Sequence, residues 1–291
     1  VSLPVRPEEL WERTVATTQR ALASGALQPI ATDFRHVEQH GVSFQVRVLG
    51  RVHLKEKREA PRPGPFNPFE HPDPELTVGV LSPTHVCLLN KFNVVEHHLL
   101  IVTRAFEEQE SLLTAADFEA LALGLEGVDG LAFYNSGEQA GASLRHKHLQ
   151  LIAPLGPERL RAPMETLLVP RLVRGQVTAV PTLGFLHAAV GLELRGLSSA
   201  QAGARLLEAY RALLSALGLE RHVPPHMLPY NLLATRDWML LVPRACAASF
   251  GINVNAMGFS GSLLVKTPEQ LQHVQAQGPL SVLQQVTMPL P

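Results

Sequence analysis

Cysteine is nearly absent. Cys87 and Cys246 stand far apart in a chain of 291 residues with no CxxC spacing, which excludes a disulfide framework and a cysteine-rich zinc site. Charge of one sign is missing too: 25 Lys+Arg against 26 Asp+Glu leave a net charge of −1, so there is neither the basic footprint of a general polyanion binder nor an acidic tail. No nucleic-acid partner is expected. No apolar run approaches the roughly 20 residues that cross a bilayer, and Val1 to Glu12 lacks the basic-then-apolar order of a signal peptide. A soluble, cytoplasmic protein without a membrane partner is the expectation. Lysine is scarce as well, since Lys55, Lys57, Lys91, Lys147 and Lys266 are the only lysines among the 25 basic residues. Where arginine serves for surface charge, a retained lysine is a candidate point charge on phosphate; codon usage is the plain alternative.

What is present can build a core. Hydrophobic residues make up 46% of the chain, enough for one large or two intertwined domains. We place a first half at 1–185 and a second at 186–291. Apolar residues recur at helical spacing over Glu8–Leu27, near Gly25, and over Gln201–Leu217; a third helix is expected from Thr114 to Leu123, capped by Thr114, and a last one from about Pro268. Val42–Leu54 alternates apolar and polar residues as a half-buried strand does. Six prolines in Pro61–Pro74 require a loop. Short strand-like runs follow: from Leu76, up to Asn90, from His98, up to Asn135, and from His146 to Ala153, with a hairpin that turns near Arg236 and Asp237. Strands that follow one another with few helical crossovers argue for an α+β fold, a mostly antiparallel sheet with flanking helices.

Chemistry concentrates in one stretch. In a strand, His146, His148 and Gln150 share a face, while Lys147, Leu149 and Leu151 share the other. Two imidazoles and an amide suit a core poorly, because each buried polar group needs a partner. Just upstream, Asn135–Ser143 is a loop of small residues that lets backbone N–H groups and the Ser143 hydroxyl approach an anion. An imidazole that is neutral at pH 7, set beside an anion loop, suits attack on phosphorus. The rival is a metal held by the two histidines with His97 or His98 as a third ligand. Glutamine is a poor zinc ligand, and a metal would leave the loop unexplained.

These residues carry a resemblance. The run from Asn135 to Leu151, NSGEQAGASLRHKHLQL, resembles the signature of the ATP adenylyltransferases, also called diadenosine tetraphosphate phosphorylases, a branch of the histidine-triad superfamily in which glutamine replaces the last histidine. Leu88–Arg104 looks like the nucleotide-binding strand pair of that superfamily, Phe66–Phe69 like the family's proline-rich loop, and Tyr230–Arg244 with Asn255–Lys266 like its C-terminal half. Together these motifs cover most of Leu54–Lys266.

The resemblance implies a histidine-triad, nucleotidyltransferase-like fold and a monomer acting on diadenosine tetraphosphate, ATP, ADP and phosphate. It makes His148 the nucleophile, with His146 orienting the site and Gln150 holding the transferred phosphate or the leaving oxygen. Asn135, Gly141, Ala142, Ser143 and Leu144 would grip the polyphosphate. Asn90 and Lys91 would meet ribose and phosphates, and His98 would close the strand motif. Asn255, Ala256, Met257, Ser262 and Lys266 would complete the nucleotide site, and Lys55 matches a family lysine before the loop. No covalent cofactor and no protein-held metal are expected; magnesium would come with the nucleotide. One departure stands out: Leu144 and Arg145 occupy a place where a polar, glutamine-like residue is usual, so Arg145 is a candidate substitute contact. The alternatives are a hexose-1-phosphate uridylyltransferase, a hydrolase with water as acceptor, and a non-catalytic nucleotide-binding module. Lys147 and Leu149 argue against the first, Gln150 in place of a third histidine against the second, and an intact His148 against the third.

Overall fold

The computed structural model describes residues 4–50, 67–155, 160–221 and 228–290. Strands β1 (Thr32–Gln39) and β2 (Val42–Leu49) form a hairpin, and the backbone at His40 and Gly41 has φ of 50° and 78°, the left-handed pair that a two-residue turn requires. A nine-stranded sheet follows. In chain order its strands are β3 (Thr77–Val80), β4 (His85–Leu89), β5 (Leu99–Thr103), β6 (Leu131–Asn135), β7 (His148–Ile152), β8 (Val177–Thr178), β9 (Ala188–Gly191), β10 (Tyr230–Ala234) and β11 (Trp238–Pro243). Their spatial order is β3-β4-β5-β7-β6-β10-β11-β9-β8, and every neighbouring pair is antiparallel. The α+β expectation is met. Both halves of the chain feed this sheet, joined where β6 pairs with β10 and Asn135 faces Asn231.

Period-two alternation divides the two faces. On β5 and β7, Leu99, Ile101, Leu149 and Leu151 pack against helices α1 (Pro7–Ser24), α2 (Ala115–Gly127) and, further along the sheet, α4 (Ser199–Ala216). These helices start and stop where capping chemistry says they should. Gly25 ends α1 in the left-handed conformation, and Thr114 with Asp117, like Ser198 with Gln201, forms a reciprocal capping box. A Cβ on Gly203 would lie 3.0 Å from the Glu119 backbone, so glycine there lets α4 lie close to α2 without either helix shifting.

The opposite face of the sheet carries a second core. Phe133, Ile152, Leu233, Trp238 and Leu240 meet Val42, Phe44 and Val46 of β2 and the C-terminal elements. Those elements are β12 (Ala248–Ser249), β13 (Ile252–Asn253), α5 (Ala256–Phe259), β14 (Ser262–Val265), α6 (Pro268–Gln277) and α7 (Pro279–Val286); the short helix α3 (Glu165–Leu168) lies late in the first half. Strand β14 pairs with β2 in parallel, across more than 200 residues of chain, a contact that local periodicity cannot announce. Helix α7 and strands β1 and β9 likewise lie outside the elements expected from sequence. Trp11 of α1 is 39% exposed and meets His97 edge-on. Among the described residues no helix is long and apolar enough to cross a membrane.

Candidate active site

Gln150 lies between Leu100 of β5 and Phe133 of β6, and His148 is opposite Val102, so both reach the sheet face away from α1 and α2. Beside them on that face is a small apolar cluster of Phe69, Leu88, Leu100 and Val102. His146 precedes the strand proper and is held by a single bridge to Glu108. Its ring still joins the same cluster, because Phe69 packs on both imidazoles, with centroids 5.6 Å from His146 and 5.3 Å from His148. Lys147 goes the other way, as alternation requires. Fully buried, its ammonium bonds Glu107 at 2.7 Å, Asp117 at 3.2 Å and the Leu112 carbonyl at 3.2 Å. It holds α2 to the sheet and is not a substrate lysine. Asp117 is held down at about 2: burial alone would raise it, but the His85 hydrogen bond, Lys147 and Thr114 outweigh that.

The His148 ring has one fixed tautomer. Its Nδ1–H donates to the His146 carbonyl at 2.8 Å, and Nε2 makes no hydrogen bond among the described residues. Burial pushes its pKa down to about 4; the Nδ1 bond opposes that and His146 adds slightly to it. At neutral pH, His148 therefore presents an uncharged ring with an unshared pair on Nε2. His146 is braced on both nitrogens, with Nε2–H on the Thr103 carbonyl at 2.7 Å and Nδ1 accepting from Asn67 Nδ2 at 3.0 Å. Neither nitrogen is left to chelate a metal, and no group of three metal-ligating side chains occurs among the described residues.

A relay orders the glutamine. Asn90 Nδ2 donates to His98 Nδ1 at 3.3 Å, and His98 Nε2–H donates to Gln150 Oε1 at 2.8 Å. With Oε1 occupied, the Gln150 NH2 group remains as the donor for a substrate oxygen. Burial also lowers His98 to about 4.

The loop after β6 turns twice through left-handed glycines, Gly137 with φ 85° and Gly141 with φ 93°. The N–H groups of Ser143 and Leu144 and the Ser143 hydroxyl make no hydrogen bond among the described residues, which suits an anion. Asn135 Oδ1 accepts from Ala256 N at 2.9 Å and from Asn231 Nδ2 at 2.8 Å, tying the root of the loop to the C-terminal motif. A Cβ on Gly141 would meet Asn255 Cβ at 2.7 Å and Cα at 2.9 Å. Gly141→Ala therefore combines strain of about 1–3 kcal/mol at a positive φ with a clash against backbone. We expect a lower melting temperature and a KM for the nucleotide about tenfold higher or more, read from thermal unfolding and steady-state kinetics.

The structure brings together His146, His148, Gln150, His98 and Asn90 in one group, and Asn135, Gly141, Asn255 and Ala256 in an adjoining one. Ala142, Ser143 and Leu144 continue the loop into Arg145. Lys91 lies in the Asn90 turn with Nζ 5.7 Å over the Phe92 ring, and Met257 is half-buried, its N–H on Asn255 Oδ1. Ser262 and Lys266 sit on and just after β14; no contact joins either to the histidines. Lys55 falls outside the described residues. Arg145 is an exposed partner of Glu108. The cavity of about 900 Å³ beside the loop is lined by Glu107, Glu108, Glu110 and Glu138 together with Ser143, Leu144 and Arg145 of the loop, and no histidine lines it.

Four supporting residues escaped the sequence reading. Asn67 and Phe69 lie in the proline-rich motif, which was a usable signal for both. Thr103 lies at the end of the strand-pair motif with nothing to mark its role, and Gln109 lies outside every motif, so only tertiary pairing reveals what the two residues do.

Comparison with known proteins places this arrangement. A family model described as the Ap4A phosphorylase N-terminal domain matches residues 2–170, and one described as the ATP adenylyltransferase C-terminal domain matches residues 181–289. The chain belongs to the Ap4A phosphorylase family, Ap4A being diadenosine tetraphosphate. It is 32% identical over 241 residues to diadenosine tetraphosphate phosphorylase 2 of Saccharomyces cerevisiae, covering 72% of this chain and 71% of that protein. It is 28% identical over 277 residues to protein APA1 of the same yeast, covering 86% and 84%. The crystal structure of yeast Ap4A phosphorylase Apa2 superposes with a TM-score of 0.82 at 26% identity, over 98% of this chain and 99% of that one. The same yeast protein in complex with Ap4A gives a TM-score of 0.78.

Proposed function

We propose that this protein cleaves diadenosine tetraphosphate by phosphorolysis through an adenylylated His148, and runs the reverse synthesis from ATP and ADP. The observation that carries the reading is the buried, uncharged His148 ring with Nδ1–H tied to the His146 carbonyl and Nε2 unpaired. Nε2 attacks the phosphorus of one adenylyl group; the N–P bond forms, the P–O bond to the remaining three phosphates breaks, and ATP leaves. A phosphate oxygen then attacks the same phosphorus, ADP departs, and the electron pair returns to Nε2. The Gln150 amide and the N–H groups of Ser143 and Leu144 are the donors for the nonbridging oxygens, which carry most of the charge in such a transfer. Asn90 and Lys91 serve ribose and phosphates, and Asn255, Ala256, Met257, Ser262, Lys266 and Lys55 complete the nucleotide site. Magnesium accompanies the polyphosphate.

The halves 1–185 and 186–291 work as one intertwined unit in this reading, supported by the Asn135–Ala256 bond. The protein acts as a monomer, as the family resemblance implies, and in the cytoplasm, which its two unpaired cysteines suit. Family membership favours the phosphorylase over a hexose-1-phosphate uridylyltransferase or a non-catalytic module. Product analysis with and without phosphate is the test: ADP and sustained turnover are expected only when phosphate is present, ATP in its absence stopping at one per enzyme, and equal turnover without phosphate would make the enzyme a hydrolase.

The pH profile follows from the depressed imidazole. Only neutral His148 reacts, so kcat/KM should stay level as pH falls through 6.5 and decline toward about 4. Stability moves in the same direction. The unfolded chain binds protons near 6.5 while folded His148 and His98 resist until about 4, so stability present above 6.5 drains away across that window. Initial rates paired with circular dichroism at each pH separate the two effects; half-loss of activity near 6.5 in folded protein would contradict the assignment.

A further inference from the structure

Gln109 lies on a segment that no motif marks, yet its side-chain amide makes three hydrogen bonds beside the nucleophile. It is 2% exposed. Its Oε1 accepts the backbone N–H of His148 at 2.8 Å, and its Nε2 donates to the Asn135 carbonyl at 2.8 Å and to the His148 carbonyl at 3.2 Å. The amide thus spans the gap between β7, which carries the nucleophile, and the end of β6, where the phosphate loop begins. Its own backbone is fixed from two sides, with Gln109 N donating to the Arg145 carbonyl at 2.6 Å and the buried Tyr134 hydroxyl donating to the Gln109 carbonyl. Next to it, Glu108 bridges His146, and Lys147 N donates to the Glu107 carbonyl at 2.8 Å. The segment 107–109 therefore runs as a short splint along 145–148.

A splint of this kind sets a distance. In-line transfer needs the attacking nitrogen and the donors around the phosphoryl oxygens held in register, and an error of about 1 Å costs on the order of 100-fold in rate. Only a neutral amide fills the place: the His148 N–H needs an acceptor while the two carbonyls need a donor, so a carboxylate would set an oxygen against them. We propose that Gln109 is a positioning residue for the adenylyl transfer, holding the His148 backbone in register with the phosphate loop without touching substrate. This rests on the reading that His148 takes the adenylyl group.

Two variants and one assay test it. The assay follows transfer of label from diadenosine tetraphosphate to protein in a single turnover without phosphate, alongside the Kd of the dinucleotide. Gln109→Met keeps the bulk and removes every hydrogen bond; we expect its transfer rate to fall about 100-fold with Kd changed by no more than about threefold. Gln109→Glu should be as slow at pH 8 and recover as pH falls toward 5, because a protonated carboxyl again offers one acceptor and one donor, and burial raises its pKa into that range. A purely structural role would raise Kd, lower melting temperature and rate together with it, and give no such acid recovery at temperatures where both variants are folded. A Met variant that transfers within about threefold of wild type, or a Glu variant without acid recovery, overturns the proposal. Wild type that takes no label overturns the His148 reading itself, and the positioning role falls with it.

Discussion

His148→Ala is expected to lower kcat for phosphorolysis by about 10⁴-fold or more, because among the described residues the other imidazoles beside it, His146 and His98, have both ring nitrogens engaged, and the two-step route is lost with His148. Binding should survive the change. The loop from Gly137 to Leu144, the Asn90–His98–Gln150 relay and the tie between Asn135 and Ala256 are all made without the His148 ring, so the Kd of the dinucleotide should move little. His146→Ala offers the informative contrast. The acceptor that fixes the His148 tautomer is the backbone carbonyl of residue 146, which any substitution retains. What the alanine removes is the bracing of the ring between Thr103 and Asn67 and its contact with Phe69, so a loss on the order of 100-fold is expected. Steady-state kinetics on the two variants, with folding checked by circular dichroism, tests the difference; equal losses would mean that His146 does more than hold the site.

Arg244→Met should cost the most stability of any single change named here. The guanidinium is 1% exposed and pairs with no carboxylate among the described residues. It donates instead to the Val286 carbonyl at 3.1 Å, the Asn231 side-chain oxygen at 2.6 Å, and the carbonyls of Val254 and Cys246 at 2.8 Å each, and at 3.3 Å to Ala140 inside the phosphate loop. Burial lowers its pKa to about 10, which still leaves it charged at neutral pH. Methionine fills the volume and leaves several buried carbonyls without donors, at about 1–3 kcal/mol each, so a loss of about 3–5 kcal/mol is expected. For a chain of this size that is a fall of about 10 °C in melting temperature. Because the same group anchors Ala140, KM for the nucleotide should rise as well. A calorimetric melt within about 2 °C of wild type would show that the network is dispensable.

The parts of this site that could be read from the sequence are those governed by one short period. Alternation along a strand puts His148 and Gln150 on one face and sends Lys147 to the other, and the structure keeps that division even though regular pairing begins only at His148. Helix α2 could be read because Thr114 and Asp117 cap it locally. Arg244 and Asn231 lie in a recognisable motif, but a motif does not say that one guanidinium gathers carbonyls from the loop and from both ends of the C-terminal half. Gln109 is the extreme case: its role exists only because segment 107–109 comes to lie beside 145–148, and nothing in its own neighbourhood of sequence carries that information. The same is true of β14 against β2, and of the carboxylates that converge on the cavity beside the loop.

The most direct measurement is intact-mass spectrometry of the wild-type protein mixed with diadenosine tetraphosphate in the absence of phosphate and quenched in alkali, where a histidine phosphoramidate survives. The mass should rise by one adenylyl group, the modification should map to the peptide holding His148, and phosphate added before the quench should discharge it as ADP. An unmodified protein that nevertheless turns over, or an adduct that persists in His148→Ala, would contradict the account.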